Sequence, residues 1–239
     1  MSEELPYLHS DEQPFPDPGT ALTEPNGLLA YGGQLNESRL IEAYSKGIFP
    51  WFNSDDSHML WWSPDPRAVL FPAELHVSKS LGKLLRQKKY RVTFDTDFQQ
   101  VISQCANLRA NTGGTWITDV MQNAYESLHV SGIAHSIEVW NSKGVLAGGM
   151  YGVSLGRMFF GESMFRLESN TSKIAVHALI QRLIQWDFTC LDCQMMSPHL
   201  ESIGTREISR TLFITLLEQS NKYTSIIGPW SITPLESGE

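Results

Sequence analysis

Three side chains at two places in this sequence could share one reaction. Glu162 closes the run Arg157-Met-Phe-Phe-Gly-Glu162, and Asp192 and Gln194 stand two apart in Cys190-Leu-Asp-Cys-Gln194. Two carboxylates brought to one place can do general acid–base work. Bulky residues between Gly156 and Gly161 predict a strand over 157–162, which puts Glu162 at its end. The two-residue spacing predicts that Asp192 and Gln194 leave one face of a second strand, 189–194, with Cys193 on the other. Cys190-x-x-Cys193 has a redox or metal spacing, but no second Cys/His pair stands near it. With three cysteines in all, neither a disulfide framework nor a metal is expected.

The element between the two strands must position them. Residues 171–186 hold no Pro or Gly, follow the N-cap candidates Ser169 and Asn170, and are apolar at 174, 175, 178, 179, 183 and 186, which predicts a buried helix. Strand, helix, strand is the unit that lays two strands parallel. Parallel strands share a C-terminal edge, where open sheets bind ligands, so Glu162 and Asp192 are expected near one another there.

Two further stretches carry function-bearing side chains. Residues 75–91 contain six Lys or Arg and no acid. Lys79, Lys83 and Arg86 fall at i, i+4 and i+7 with Leu81, Leu84 and Leu85 opposite, which predicts a one-sided basic helix continued by Lys88 and Lys89. A net charge of -8 excludes a nucleic-acid binder that uses its whole surface, and makes a local basic face the part a phosphate backbone would select. Upstream, Gly47-Ile-Phe-Pro-Trp-Phe52 and Trp61-Trp-Ser-Pro-Asp-Pro-Arg67 read as two aromatic, proline-punctuated loops, either core packing or a stacking surface.

The remaining pattern gives an α+β layout. Residues 1–26 form a proline-bearing arm expected to wrap over the body, 27–33 are extended, and 37–46 are helical with Gly47 as the stop. After the basic helix come a strand at 91–95, a helix at 98–108, a loop at 112–117 and a helix at 119–132. Strands at 136–140, 144–153 and 157–162 then make an antiparallel meander. A small αβ N-terminal unit over 1–64 and a body over 65–239 follow, the body a mixed sheet with one parallel pair. The start is polar and acidic, without a signal-peptide pattern, and no run is long and apolar enough for a membrane span, so a cytoplasmic protein is expected.

Nine segments in order, covering about 15–217, resemble the bacterial leucyl/phenylalanyl-tRNA–protein transferases. They are Phe15-Pro-Asp-Pro18, Gly27-Leu-Leu-Ala30, Gly47-Ile-Phe-Pro-Trp-Phe52, Trp62-Ser-Pro-Asp-Pro-Arg67, Gly114-Thr-Trp-Ile117, His135-Ser-Ile-Glu-Val-Trp140, Gly148-Gly-Met-Tyr-Gly-Val153, Phe160-Gly-Glu-Ser-Met-Phe165 and Leu191-Asp-Cys-Gln194. The resemblance implies a body with the fold of the Gcn5-related N-acetyltransferases. It also implies transfer of Leu or Phe, less readily Met, from aminoacyl-tRNA to a protein beginning with Arg or Lys, which marks that protein for degradation. No metal or organic cofactor and no membrane are implied, and a monomer is expected. By the same resemblance Asp192 and Gln194 form a relay that orients the attacking amine, and Glu162 holds the acceptor's cationic end. Met150, Phe159, Val176, Leu179 and Leu191 surround the donor side chain, and Trp51 and Trp116 flank the terminal adenosine. Which group acts as general base stays open. An acyl-CoA N-acetyltransferase of the same fold is the alternative enzyme, but Phe165-Arg-Leu-Glu-Ser-Asn-Thr171 lacks the glycine-rich phosphate cradle that activity needs. A non-catalytic tRNA-binding module would leave the carboxylates and Gln194 without a role.

Overall fold

Ten consecutive buried residues, from Leu146 to Leu155, make the strand around which the larger sheet is assembled. Alternation is absent there because helices cover both faces of the sheet. The computed structural model describes residues 5–52, 58–110 and 117–232. Its elements are β1 (Tyr7–Leu8), β2 (Leu28–Gly32), α1 (Glu37–Ser45), β3 (Phe49–Pro50), β4 (Leu60–Trp62), β5 (Arg67–Leu70), α2 (Lys79–Arg86), β6 (Arg91–Phe94), α3 (Phe98–Ala110) and α4 (Asp119–Val130). They continue with β7 (Ala134–Trp140), β8 (Leu146–Leu155), β9 (Met158–Arg166), α5 (Thr171–Gln185), β10 (Cys190–Gln194), α6 (Pro198–Glu201), β11 (Arg206–Ile208) and α7 (Arg210–Ser220).

The larger sheet runs β11-β5-β10-β9-β8-β7-β6, and the smaller one β1-β2-β4-β3. Within the larger sheet β9 and β10 pair in parallel, as the strand–helix–strand unit requires, and the other described pairs are antiparallel. Helices α3 and α4 pack one face, with α1 against α4, while α5 and α2 cover the other. The α+β layout with a mixed, helix-flanked sheet is therefore as expected. No described helix is long and apolar enough to cross a membrane.

Several local expectations need correction. The strands β5 and β11 were not anticipated, because each has only three or four residues and a period-2 pattern needs more. The aromatic stretches are partly strands: β3 and β4 pair, with Phe49 opposite Trp62. Trp61 is fully buried, donates from Nε1 to the Gly32 carbonyl (3.0 Å) and meets Phe15 edge-on at 4.8 Å. Trp62 donates from Nε1 to the Trp51 carbonyl (2.7 Å), so most of these rings serve packing. Most of the loop expected at 112–117, Trp116 included, lies outside the described residues.

The strand containing Glu162 is longer than the reading of 157–162, and Glu162 stands inside it rather than at its end. Opposite, Tyr151 pairs with Ser163 and Gly152 with Gly161, which leaves Glu162 as the extra residue of a β-bulge. Gly152 is required there. A Cβ on it would lie 2.2 Å from the Phe160 carbonyl oxygen and 2.5 Å from the Phe159 ring. Gly152→Ala is expected to cost about 1–3 kcal/mol or more in urea unfolding, with an unchanged m-value, because backbone must move to admit it.

Candidate active site

Pairing of β10 with β9 stops at Asp192 opposite Phe160, while β9 continues along β8 to Arg166. A cleft of about 350 Å³ opens at this divergence. One wall is Phe49, Pro50 and Trp51 from the smaller sheet, and the floor is Met150 with Gly161–Met164. Leu191, Cys193–Ser197, His199 and Leu200 close the other side. Four methionines, Met150, Met164, Met195 and Met196, make much of the lining, a soft apolar surface that adapts to differently shaped guests.

The polar groups come from separate elements. Glu162 reaches Tyr44 of α1 and Tyr125 of α4, whose hydroxyl oxygens lie 2.6 and 2.8 Å from its two carboxyl oxygens. The two hydroxyls also hydrogen-bond one another. Burial pushes the Glu162 carboxyl up to about 7, with the charge of Asp192 adding, while Arg67 and any phenol hydrogen aimed at the ionised carboxylate act against the shift. Burial and the neighbouring Glu162 in turn raise both phenols well above their usual value.

Asp192 is not where its spacing placed it. It is fully buried, accepts from Arg67 Nε and Nη2 at 2.9 and 2.7 Å, and accepts the Gln194 backbone N–H at 3.0 Å. A bulge between 192 and 194 turns the chain, and Gln194 adopts a φ of 58°. Gln194 thus lines the cleft while Asp192 stays behind it, so the relay on one shared face does not form. The buried Gln194 Nε2 has no hydrogen-bond partner among the described residues, and the same holds for His199 Nε2 in the cleft wall. Cys193, expected to face away, lines the cleft with its thiol pushed up to about 12 by burial, which keeps it protonated.

Of the anticipated donor-pocket residues, Met150 and Leu191 line the cleft. Phe159 of β9 and Val176 and Leu179 of α5 are buried in the core and are not among the residues that line it. Trp51 lines it, beside Trp62 at 5.4 Å. Lys79, Lys83, Arg86, Lys88 and Lys89 are all exposed along and just after α2, whose Leu81, Leu84 and Leu85 pack inward. No cluster of metal-ligating side chains occurs among the described residues.

Sequence comparison fits this geometry to a family. A model described as leucyl/phenylalanyl-tRNA protein transferase matches residues 69–218, and one for the N-terminal domain of that protein matches 33–65. A leucyl/phenylalanyl-tRNA–protein transferase of Pseudomonas fluorescens is 55% identical over 214 residues, 90% of this chain and 94% of the relative. The chain belongs to the leucyl/phenylalanyl-tRNA–protein transferase family. A member from Shewanella baltica is 52% identical over 215 residues, 90% of each chain. Among solved structures, L-PGS from Bacillus licheniformis aligns over 80% of this chain and 71% of its own (TM-score 0.43, 9% identity). An aminoglycoside N-acetyltransferase aligns over 46% and 78% (TM-score 0.33, 14% identity). As a member of this transferase family, the chain is an enzyme.

The residues that sequence reasoning missed are Tyr44, Tyr125 and Arg67. Tyr44 lies on the buried side of the helix, where a tyrosine needs a partner for its hydroxyl, and that was the available signal. Two variants separate support from contact. Asp192→Ala leaves Arg67 buried and unpaired and is expected to cost about 3–5 kcal/mol of stability. Gln194→Asn keeps a residue tolerant of positive φ, and its melting temperature should stay near wild type while turnover falls. The raised Glu162 value also fixes a pH dependence. The folded protein holds this proton between 4.5 and about 7 whereas the unfolded chain does not, so its contribution to stability is lost as pH rises through 7. Glu162→Gln should therefore raise the melting temperature at about pH 8 and change it little at about pH 4.

Proposed function

We propose that the chain transfers Leu or Phe, and less readily Met, from aminoacyl-tRNA to the amino terminus of a protein beginning with Arg or Lys, marking that protein for degradation. The observation that carries this reading is the cleft itself. An apolar, methionine-rich floor lies beside a carboxyl group and an amide nitrogen with no partner among the described residues, so a hydrophobic donor side chain and a cationic acceptor can be held together. The α-amine must lose a proton before it attacks the ester carbonyl. The C–N bond then forms, the ester C–O bond breaks, and the ribose oxygen leaves with a proton. The ester supplies the driving force, so the reaction needs no cofactor.

Each side chain has a role in this reading. Glu162 faces the acceptor's positive charge, and Gln194 Nε2 donates to the carbonyl oxygen as charge develops there. Asp192 acts from behind, by fixing the Gln194 turn. Met150 and Leu191 hold the donor side chain, and Trp51 stacks on the terminal adenosine. The basic face of α2 takes phosphates of the tRNA, contacts that carry no base information and so admit several tRNAs. We place the reaction in the cytoplasm, on a monomer. The acyl-CoA reading is disfavoured at the entry to α5, where Asn141 Nδ2 and the Tyr90 hydroxyl donate to Glu168 and hold its carboxylate ionised. A negative charge in that position opposes a pyrophosphate.

Incubation with charged tRNA should label peptides beginning with Arg or Lys and leave one beginning with Ala unlabelled. Transfer to all three, or to none, would overturn the assignment. Lys83→Ala with Arg86→Ala should raise KM for aminoacyl-tRNA and reduce its salt dependence by a slope of roughly 1–2, while a minimal aminoacyl-adenosine donor reacts as before. Equal loss on the minimal donor would return α2 to a supporting role.

A further inference from the structure

Tyr44, Tyr125 and Glu162 form a closed triangle. Tyr44 meets Oε1 at 2.6 Å, Tyr125 meets Oε2 at 2.8 Å, and the two phenol oxygens are themselves in hydrogen-bond contact. Three hydrogen-bond contacts in a ring need three hydrogens, and two phenols supply two. If the carboxylate were ionised, both phenolic hydrogens would point to it. The phenol oxygens, on two fully buried residues, would then face each other through lone pairs alone. A proton on Glu162 removes the conflict. Its O–H donates to one phenol, that phenol donates to the other, and the second donates back to the remaining carboxyl oxygen.

We propose that the acceptor-free protein holds Glu162 protonated inside this ring, and that the acceptor's cation takes the place of that proton, which leaves for solvent. Acceptor binding and proton release are then one event, positioned by Tyr44 and Tyr125. The inference rests on the reading of Glu162 as the acceptor-facing group.

The surroundings agree. The charged and titratable groups that face the ring are Arg67 of β5 and Asp192 of β10, with Tyr151 of β8 edge-on to Tyr125 at 5.4 Å. Arg67 is committed to Asp192 through two hydrogen bonds, so toward Glu162 it acts only through its charge, which the Asp192 carboxylate counters. Burial raises the carboxyl in the same direction. A neutral carboxyl is cheap to keep in an apolar cleft, and it becomes an anion only when a cation arrives to compensate it. A neutral first residue such as Ala brings no side-chain cation and cannot drive the exchange fully. Selectivity for Arg and Lys is sharpened by the same ring.

Infrared difference spectroscopy of the whole protein at about pH 6, below the raised carboxyl value, tests this directly. The wild type should show the carbonyl band of a protonated carboxyl that Glu162→Gln lacks. Saturating Arg-Ala dipeptide should remove the band and bring up carboxylate bands. Tyr44→Phe and Tyr125→Phe each open the ring while keeping Glu162. Each should move the acid limb of kcat/KM for the acceptor to lower pH, since the anion no longer sets two phenol oxygens against each other. Phenols that merely donate to a permanent carboxylate would move that limb upward, which would overturn the proposal. Absence of the protonated band in the wild type would also overturn it. Dipeptide binding is followed by its heat in the same buffer. Heat with an unchanged band refutes the exchange alone, whereas no heat refutes the acceptor assignment of Glu162 and the exchange with it.

Discussion

The cleft depends on one buried ion pair, Arg67 with Asp192. The two residues are 125 apart in sequence, and their side chains are essentially inaccessible to solvent. Removing two charges from water is expensive, and the attraction offsets that cost only if every donor and acceptor is used. Here they are. Asp192 accepts two guanidinium bonds and one backbone N–H, while Arg67 also donates to the Gly47 carbonyl and lies over the rings of Phe49 and Phe213. The pair thereby joins β5 to β10 and docks the segment 47–49 that forms one cleft wall. Gly47 can end α1 there because its φ is +75° and a Cβ would collide with Phe213 and Ile214.

Much of this was legible in the sequence, and what was not has a physical cause. The helix 171–185 and the parallel pairing of its flanking strands followed from an uninterrupted apolar period of sufficient length. The one-sided basic helix was equally plain. The faces of Asp192 and Gln194 were not, because one bulge residue changes the parity of every side chain after it and no local composition announced the bulge. A second bulge falls at Glu162, inside a β9 that runs on to Arg166. Phe159, Val176 and Leu179 were apolar enough for a pocket, but apolar character cannot distinguish a cavity wall from the layer behind it. Tyr44 and Tyr125, 81 residues apart, meet only through the packing of α1 on α4, which no local pattern contains.

The cleft joins two kinds of surface that usually exclude each other. Its thioether floor favours dehydrated apolar guests, while Glu162 and Gln194 need polar ones. The bulge at Glu162 and the turn at Gln194 resolve the conflict, since each puts a polar side chain at a place where ordinary strand alternation would not. The parallel pair β9/β10 supplies the room, because the two strands separate where those irregularities occur.

The exposed basic face of α2 has a consequence for the molecule as a whole. With six cationic residues gathered in 75–91 and a net charge of -8, the rest of the chain is more acidic still. Such a separation is a permanent dipole moment. A polyanion approaching from any side exerts a torque that turns α2 toward it before contact, and repulsion elsewhere leaves few stable resting orientations. Encounter is then restricted in angle as well as in position, by charges that touch none of the reacting atoms.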